Sequence, residues 1–330
     1  MLYPIKLNPI YKYKIWGGSR LHTLYNRTLP YDKTGESWEI SCREQDICTV
    51  QNGEYSGMPL NQLIEKMGKS LLGSAVMDNG RFPLLLKYLD VQTDLSVQVH
   101  PSQEYIKHYG EQGEEPKIEV WYVLHADPGA KIISGLKPGV TQDALAQAAE
   151  AHKIGECLQE KSVSTGDVIL IRPGSVHAAC AGLFLFELQQ SSDTTFRLYD
   201  YDRLEADGKP RRLDIEKSLR AIHYDSAPEL IAKPEFLTDG YLYERRLAQC
   251  DKFVLDEITF EDSQNDLSTN GEFCILTCIK GQIYITTNVL DIKLETGESV
   301  LLPADLGTFT ISGAGTLLRS AAISTPLKLQ

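Results

Sequence analysis

The chain has 330 residues, of which 42% are hydrophobic and 24% charged, enough for two ordinary domains or one large β-rich unit with a helical insert. A formal charge of −12 excludes nucleic acid and anionic membrane as partners, since both would repel it. No run approaches the roughly 18 apolar residues of a membrane span.

Taken in chain order, most segments read as strands: short, β-branched or aromatic, and bounded by Gly, Pro, Asn or Asp. They cover 37–41, 82–89, 95–100, 119–124, 131–135, 167–171 and 183–190. Helical spacing is predicted at about 59–72, at 141–152 behind the N-cap residue Thr141, and more weakly at 214–223. From Tyr199 to about Tyr241 the composition turns to charge and proline and reads as a connector. No βαβ alternation occurs, so a parallel doubly wound sheet is not expected.

A faint internal repeat organises the rest. The stretch Thr165-Gly166-Asp167 followed by Val168 to Pro173 resembles Thr296-Gly297-Glu298 followed by Ser299 to Pro303. A similar strand precedes each, starting at Glu119 and at Glu272. Strand, Gly turn, strand, Gly-acidic turn and strand is the order of a small jelly-roll barrel, here duplicated. The expected architecture is therefore mainly β, with two such barrels and a small helical insert. A metal-binding domain is placed at 1–235, and a second, degenerate one at 236–330.

Gln98 and His100 alternate on one predicted strand, so both project to the same face and can chelate one ion. Glu119 opens the next strong strand, where a carboxylate is an odd neighbour for Val120, Trp121 and Val123. His177 follows a Pro173-Gly174 turn that ends a buried strand. Any one of these residues alone says little. Together, two imidazoles, a carboxylate and an amide oxygen suit zinc or another borderline divalent ion, with an outer position left for water or substrate. His22, His108, His125, His152 and His223 lack such company and read as surface or structural. No histidine lies beyond His223, so the second copy cannot build a His-based site and one metal per chain is expected. Seven scattered cysteines without a CxxC pair, and an N-terminus without a secretory pattern, predict reduced thiols and a cytoplasmic protein.

The residues also carry a family resemblance. Gln98-Val99-His100-Pro101, Lys117-Ile118-Glu119-Val120-Trp121-Tyr122, Pro173-Gly174-Ser175-Val176-His177-Ala178 and the long run from Glu187 to Arg203 resemble the type I mannose-6-phosphate isomerases, in their short bacterial form. Trp16-Gly17-Gly18 and the segment from Gly35 to Ser41 extend the match, so it covers at least residues 1–220. The resemblance implies a pair of cupin barrels and one zinc ion on Gln98, His100, Glu119 and His177. It also implies active-site roles for Lys117 and Arg197, both placed for substrate binding, and an acidic residue at Glu187. One departure is visible: Ile118 stands where many relatives have Thr or Pro, and its side chain should point away from the site.

The implied reaction interconverts mannose 6-phosphate and fructose 6-phosphate through a cis-enediol. It needs a base for the carbon acid, charge stabilisation for the enediolate, and a grip on the phosphate. Which of the three residues takes the proton stays open at this stage, with Glu187 a candidate. Two rival classes are a redox-metal cupin enzyme and a non-catalytic sugar-binding cupin. The first usually uses more histidines, and the second predicts a lost ligand or a lost Arg197. The expected partner is a sugar phosphate, and the expected state a monomer or weak homo-oligomer.

Overall fold

A computed structural model describes residues 2–75, 77, 81–205, 207–232, 235–239 and 242–323. Parts of the expected connector (206, 233–234 and 240–241) and the last seven residues of the expected second domain lie outside the described residues. The fold is mainly β, and no helix among the described residues is long and apolar enough to cross a membrane.

The chain forms two compact units that are discontinuous in sequence. One comprises Tyr11–Ser37 and Tyr88–Ile231, the other Met1–Ile10, Trp38–Lys87 and Ala232–Gln330. The sequence suggests a single division at 235/236, whereas each unit here is drawn from separate stretches of chain. The two earlier returns of the chain rest on long-range contacts that have no signature in local composition.

In the first unit, a five-stranded sheet runs in the order Leu158–Ser162, Lys131–Leu136, His177–Ala179, Val97–Val99, Phe196–Tyr199. A second sheet places Glu229–Ile231, Val168–Ile171, Glu119–Ala126 and Leu183–Gln190 side by side. Val168–Ile171 is buried along its whole length, which explains its unbroken Val-Ile-Leu-Ile run: a strand covered on both faces does not alternate. Trp121, Val123, Ile169, Ile171 and Leu185 form part of one hydrophobic cluster with Val97, Ile132 and Ala179.

The expected helix over 59–72 is two helices, Leu60–Met67 and Lys69–Leu72. Gly68 divides them at φ +50°, a backbone setting that ends a helix and that glycine adopts without penalty. The helix behind Thr141 spans Gln142–Glu150, its first turn closed by the Thr141 hydroxyl accepting from Ala144 N–H at 3.2 Å. The third spans Ile215–Ala221. A further helix, Gln103–Tyr109, is capped by Ser102 and was not anticipated, because it follows the strand-ending Pro101 too closely to show a full period.

The second unit is built on a sheet in the order Leu237–Asp239, Leu242–Gln249, Phe253–Ser268, Thr308–Ala322, Cys274–Thr286, Ile292–Glu295, with Ser299–Leu302 also paired to Cys274–Thr286. Its core is formed by Ile258, Leu276, Ile283, Val300, Leu317 and their neighbours.

The repeat seen in the sequence is present in the hydrogen bonds. Gly166 N–H donates to Val123 O and Gly297 N–H to Cys278 O, each at 2.7 Å. Val123 N–H donates to Asp167 O and Cys278 N–H to Glu298 O, each at 2.9 Å. Each acidic side chain then closes its own turn, Asp167 accepting from Ser164 N–H and Glu298 from Glu295 N–H, both at 2.8 Å. Both glycines sit near φ +90°, where only glycine is comfortable. The register corrects the sequence alignment by two residues. Glu119 lies opposite Ile171, and the equivalent partner of Leu302 is Cys274, not Glu272.

Candidate metal centre and active site

His177 opens its strand directly after a tight turn. Gly174 N–H donates to His100 O at 2.9 Å, and Gly135 N–H to Val176 O at 2.8 Å. Gly174 has φ +83°, and a Cβ there would meet the His223 ring at 2.5 Å, so the turn requires glycine twice over. Across the five-stranded sheet the register aligns Ser134, His177, Gln98 and Arg197 in one row. Residues directly opposite in antiparallel strands share a face, so the side chains of Gln98, His177 and Arg197 are neighbours, and His100 follows two residues on from Gln98.

His100, Glu119 and His177 converge and are completely or almost completely buried. His100 Nε2 lies 3.4 Å from Glu119 Oε2, and His177 Nε2 lies 3.3 Å from Glu119 Oε1. Each imidazole is oriented from behind: His100 Nδ1 is 3.1 Å from Thr194 O and His177 Nδ1 is 2.9 Å from Ser175 O. A carbonyl can only accept, so both Nδ1 atoms carry the proton and both Nε2 atoms present lone pairs. Neither Nε2 nor Glu119 Oε1 has a hydrogen-bond partner. Buried acceptors that face one another without a donor are destabilising, and a bound cation resolves the conflict. The donor set therefore fits a divalent metal of the borderline class.

Lys117 Nζ sits 2.8 Å from Glu119 Oε2. Burial pushes the His100 imidazolium down, assisted by the Lys117 charge, to about 3, so this ring is neutral and ready to ligate. Burial opposes ionisation of Glu119, but the Lys117 ammonium beside it holds its carboxyl well below the usual range. Arg197 is fixed by Nε donation to Ser96 Oγ at 3.2 Å and Nη1 donation to Arg212 O at 3.0 Å. Burial, then the nearby Arg211 charge, pushes its guanidinium down from its ordinary value. Its backbone is clasped by Asp214, which accepts from Arg197 N–H at 3.2 Å and returns its own N–H to Arg197 O at 2.7 Å.

Glu187 is buried opposite Trp121 and accepts that indole N–H at 2.8 Å. The Trp121 ring also packs edge-on against His177, with centroids 5.6 Å apart. Trp121 thus links Glu187 to the triad, a connection that sequence alone did not single out. The carbonyls of Thr194 and Ser175 were also missed, since no residue type advertises a backbone acceptor. Of the other histidines, His125 pairs with Asp127 at 2.8 Å and His22 with Arg27 O at 2.9 Å, neither in the triad.

Comparison with known proteins adds independent support. Residues 5–117 match the family described as Phosphomannose isomerase type I, catalytic domain, and residues 243–322 match Mannose-6-phosphate isomerase, cupin domain. The chain is 36% identical over 311 residues to the mannose-6-phosphate isomerase ManA of Bacillus subtilis, covering 94% of this chain and 96% of that one. It is 33% identical over 314 residues to the mannose-6-phosphate isomerase of Streptococcus mutans, covering 95% and 96%. The crystal structure of the mannose 6-phosphate isomerase from Bacillus subtilis superposes with a TM-score of 0.88 at 31% identity, over 96% of this chain and 99% of that one.

Proposed function

The chain belongs to the type I mannose-6-phosphate isomerases, and from that premise we propose that it interconverts mannose 6-phosphate and fructose 6-phosphate on one zinc ion held by Gln98, His100, Glu119 and His177. The observation that carries this reading is the buried triad whose inward nitrogens have no donor. Zinc there would supply Lewis acidity to the sugar oxygens at C1 and C2.

The chain's own groups supply the rest. Arg197, on the same sheet face as Gln98 and His177, offers a fixed fork for an oxyanion, suited to the phosphate or the enediolate. Lys117 brings a second positive charge beside Glu119. We assign the proton transfer between C1 and C2 to Glu187, a buried carboxylate two residues along the ladder from Gln189, which stands opposite Glu119. The Trp121 indole holds that carboxylate in one orientation. The reaction passes through a cis-enediol. A second, degenerate barrel at 236–330, without metal ligands, takes a structural or substrate-shaping role. We place the enzyme in the cytoplasm, as a monomer or weak homo-oligomer acting on a small sugar phosphate.

Metal analysis combined with a coupled isomerase assay tests the proposal. A purified chain holding stoichiometric zinc yet unable to interconvert the two hexose phosphates would overturn it. The Arg197→Ala variant should keep its zinc and lose about 10²-fold or more in kcat/KM, as expected for deleting a donor aimed at developing negative charge. Full turnover in that variant would remove Arg197 from the mechanism.

A further inference from the structure

The run Gln189-Gln190-Ser191-Ser192-Asp193-Thr194 ends the strand Leu183–Gln190 and continues beyond it, and its polar atoms hold the neighbouring backbone in place. Gln190 Oε1 accepts Ile118 N–H at 3.1 Å. Thr194 Oγ1 accepts Glu115 N–H at 2.9 Å, and Ser192 Oγ donates to Glu115 O at 3.3 Å. These bonds fix the approach to Lys117 and Glu119. Gln189 behaves differently.

Gln189 is 0% exposed and stands directly opposite Glu119 in the ladder, so both side chains emerge on one face. Its Nε2 donates to Gln190 O at 3.0 Å and to Ser192 O. Both are carbonyls that can only accept, so the amide cannot be flipped, and Oε1 is held as an acceptor. That oxygen is buried and has no partner. Among the described residues no donor lies within hydrogen-bond distance of it: the inward imidazole nitrogens and Glu119 are acceptors, the Nδ1 protons point to carbonyls, and Lys117 lies against Glu119. A bound ligand can bring the missing donor. A phosphate dianion has no proton to give, whereas the hydroxyl-bearing end of a sugar has several.

We propose that Gln189 Oε1 accepts a hydrogen bond from a hydroxyl at C1, C2 or C3 of the bound sugar phosphate, which makes Gln189 a specificity-determining residue. The inference rests on the isomerase reading of the site. It predicts that the enzyme discriminates against a sugar phosphate lacking that hydroxyl, because the buried amide oxygen is then left unpaired.

The test uses a hexitol 6-phosphate, which has no carbonyl and cannot turn over, together with its 1-, 2- and 3-deoxy analogues. Each is titrated by calorimetry into the zinc-loaded enzyme and into its Gln189→Met variant. One deoxy position should weaken binding to the wild-type enzyme by about 3–10-fold, the effect of one neutral hydrogen bond. The same deletion should matter by less than about 2-fold in the variant, with zinc content unchanged in both. Equal deoxy penalties in the two proteins overturn the proposal, as does loss of zinc in the variant, which would make Gln189 a support of the metal instead. Should the variant not fold, the wild-type series still decides: all three deoxy analogues binding within about 2-fold of the parent overturns it. Failure of the parent hexitol phosphate to bind at all takes down the isomerase reading and this inference together, an outcome distinct from binding without discrimination.

Discussion

The strand pair Glu119–Ala126 with Val168–Ile171, and the pair Cys274–Thr286 with Ser299–Leu302, share the same turn hydrogen bonds and the same ladder, yet only the first carries a member of the candidate metal triad, Glu119. At the position of Glu119 the second pair has Cys274, whose thiol burial pushes up to about 11, so that the thiolate a metal needs is disfavoured. Leu276 stands where the first pair has Trp121. The residue opposite Leu276 is Arg319, in the place that Glu187 takes opposite Trp121. Arg319 is tied into ion pairs with Asp256 and Glu244, so the charge at that position is spent on structure. The comparison separates two levels of information: glycine and acidic turn residues set the backbone ladder, while a few inward side chains decide whether it carries chemistry.

The largest effect should come from exchanging information at the Glu119 level. Glu119→Gln keeps the shape of the side chain but removes the charge that faces two imidazole nitrogens and Lys117. We expect zinc binding to fall and turnover to drop by more than the 10–100-fold typical of an outer-shell partner. Cys274→Ala, at the matching position of the other pair, should leave turnover per chain unchanged. A Cys274→Ala enzyme as impaired as Glu119→Gln would break the contrast, and steady-state rates with metal content measure both.

Metal removal should show the same asymmetry in stability. Chelation should lower the urea midpoint of the wild-type chain, since a ligand bound at about 1,000 times its Kd contributes roughly 4 kcal/mol. The Glu119→Gln variant should respond little to the chelator, and Cys274→Ala should respond like the wild type. Equal responses in all three proteins would mean that the metal is not held by the triad.

The smallest effect probes what the two pairs have in common. Asp167→Ala and Glu298→Ala each delete one carboxylate that accepts a turn amide at 2.8 Å. Each should cost about 0.5–1.5 kcal/mol of unfolding free energy, with Glu298→Ala also losing a partly exposed ion pair to Lys6 that is worth little. Denaturant titration that finds one substitution neutral and the other severe would show that the turns are equivalent in geometry alone.

What could be read in advance follows from the range of the signal. Gln98 and His100 were legible as same-face residues because strand alternation is a local rule, and Gly174 before His177 marked a turn for the same reason. The family resemblance then named Lys117, Glu187 and Arg197 as active-site residues without indicating what each touches. The two-residue shift that puts Cys274, not Glu272, level with Glu119 was not legible, because register is set by cross-strand pairing, and similar apolar strands align equally well in either frame.

The sequence by itself determined a β-rich chain, its metal-ligand candidates and the turn chemistry that frames them, since these depend on residue type and short spacing. Only the tertiary structure decided that Thr194 and Ser175 carbonyls aim the imidazoles, that Trp121 joins Glu187 to His177, and that Gln189 keeps an unpaired acceptor beside Glu119. Those relations are made by backbone carbonyls and by side chains brought together from distant strands. Their free energy comes from burial and unsatisfied hydrogen bonding, which exist only once the chain has closed around the site.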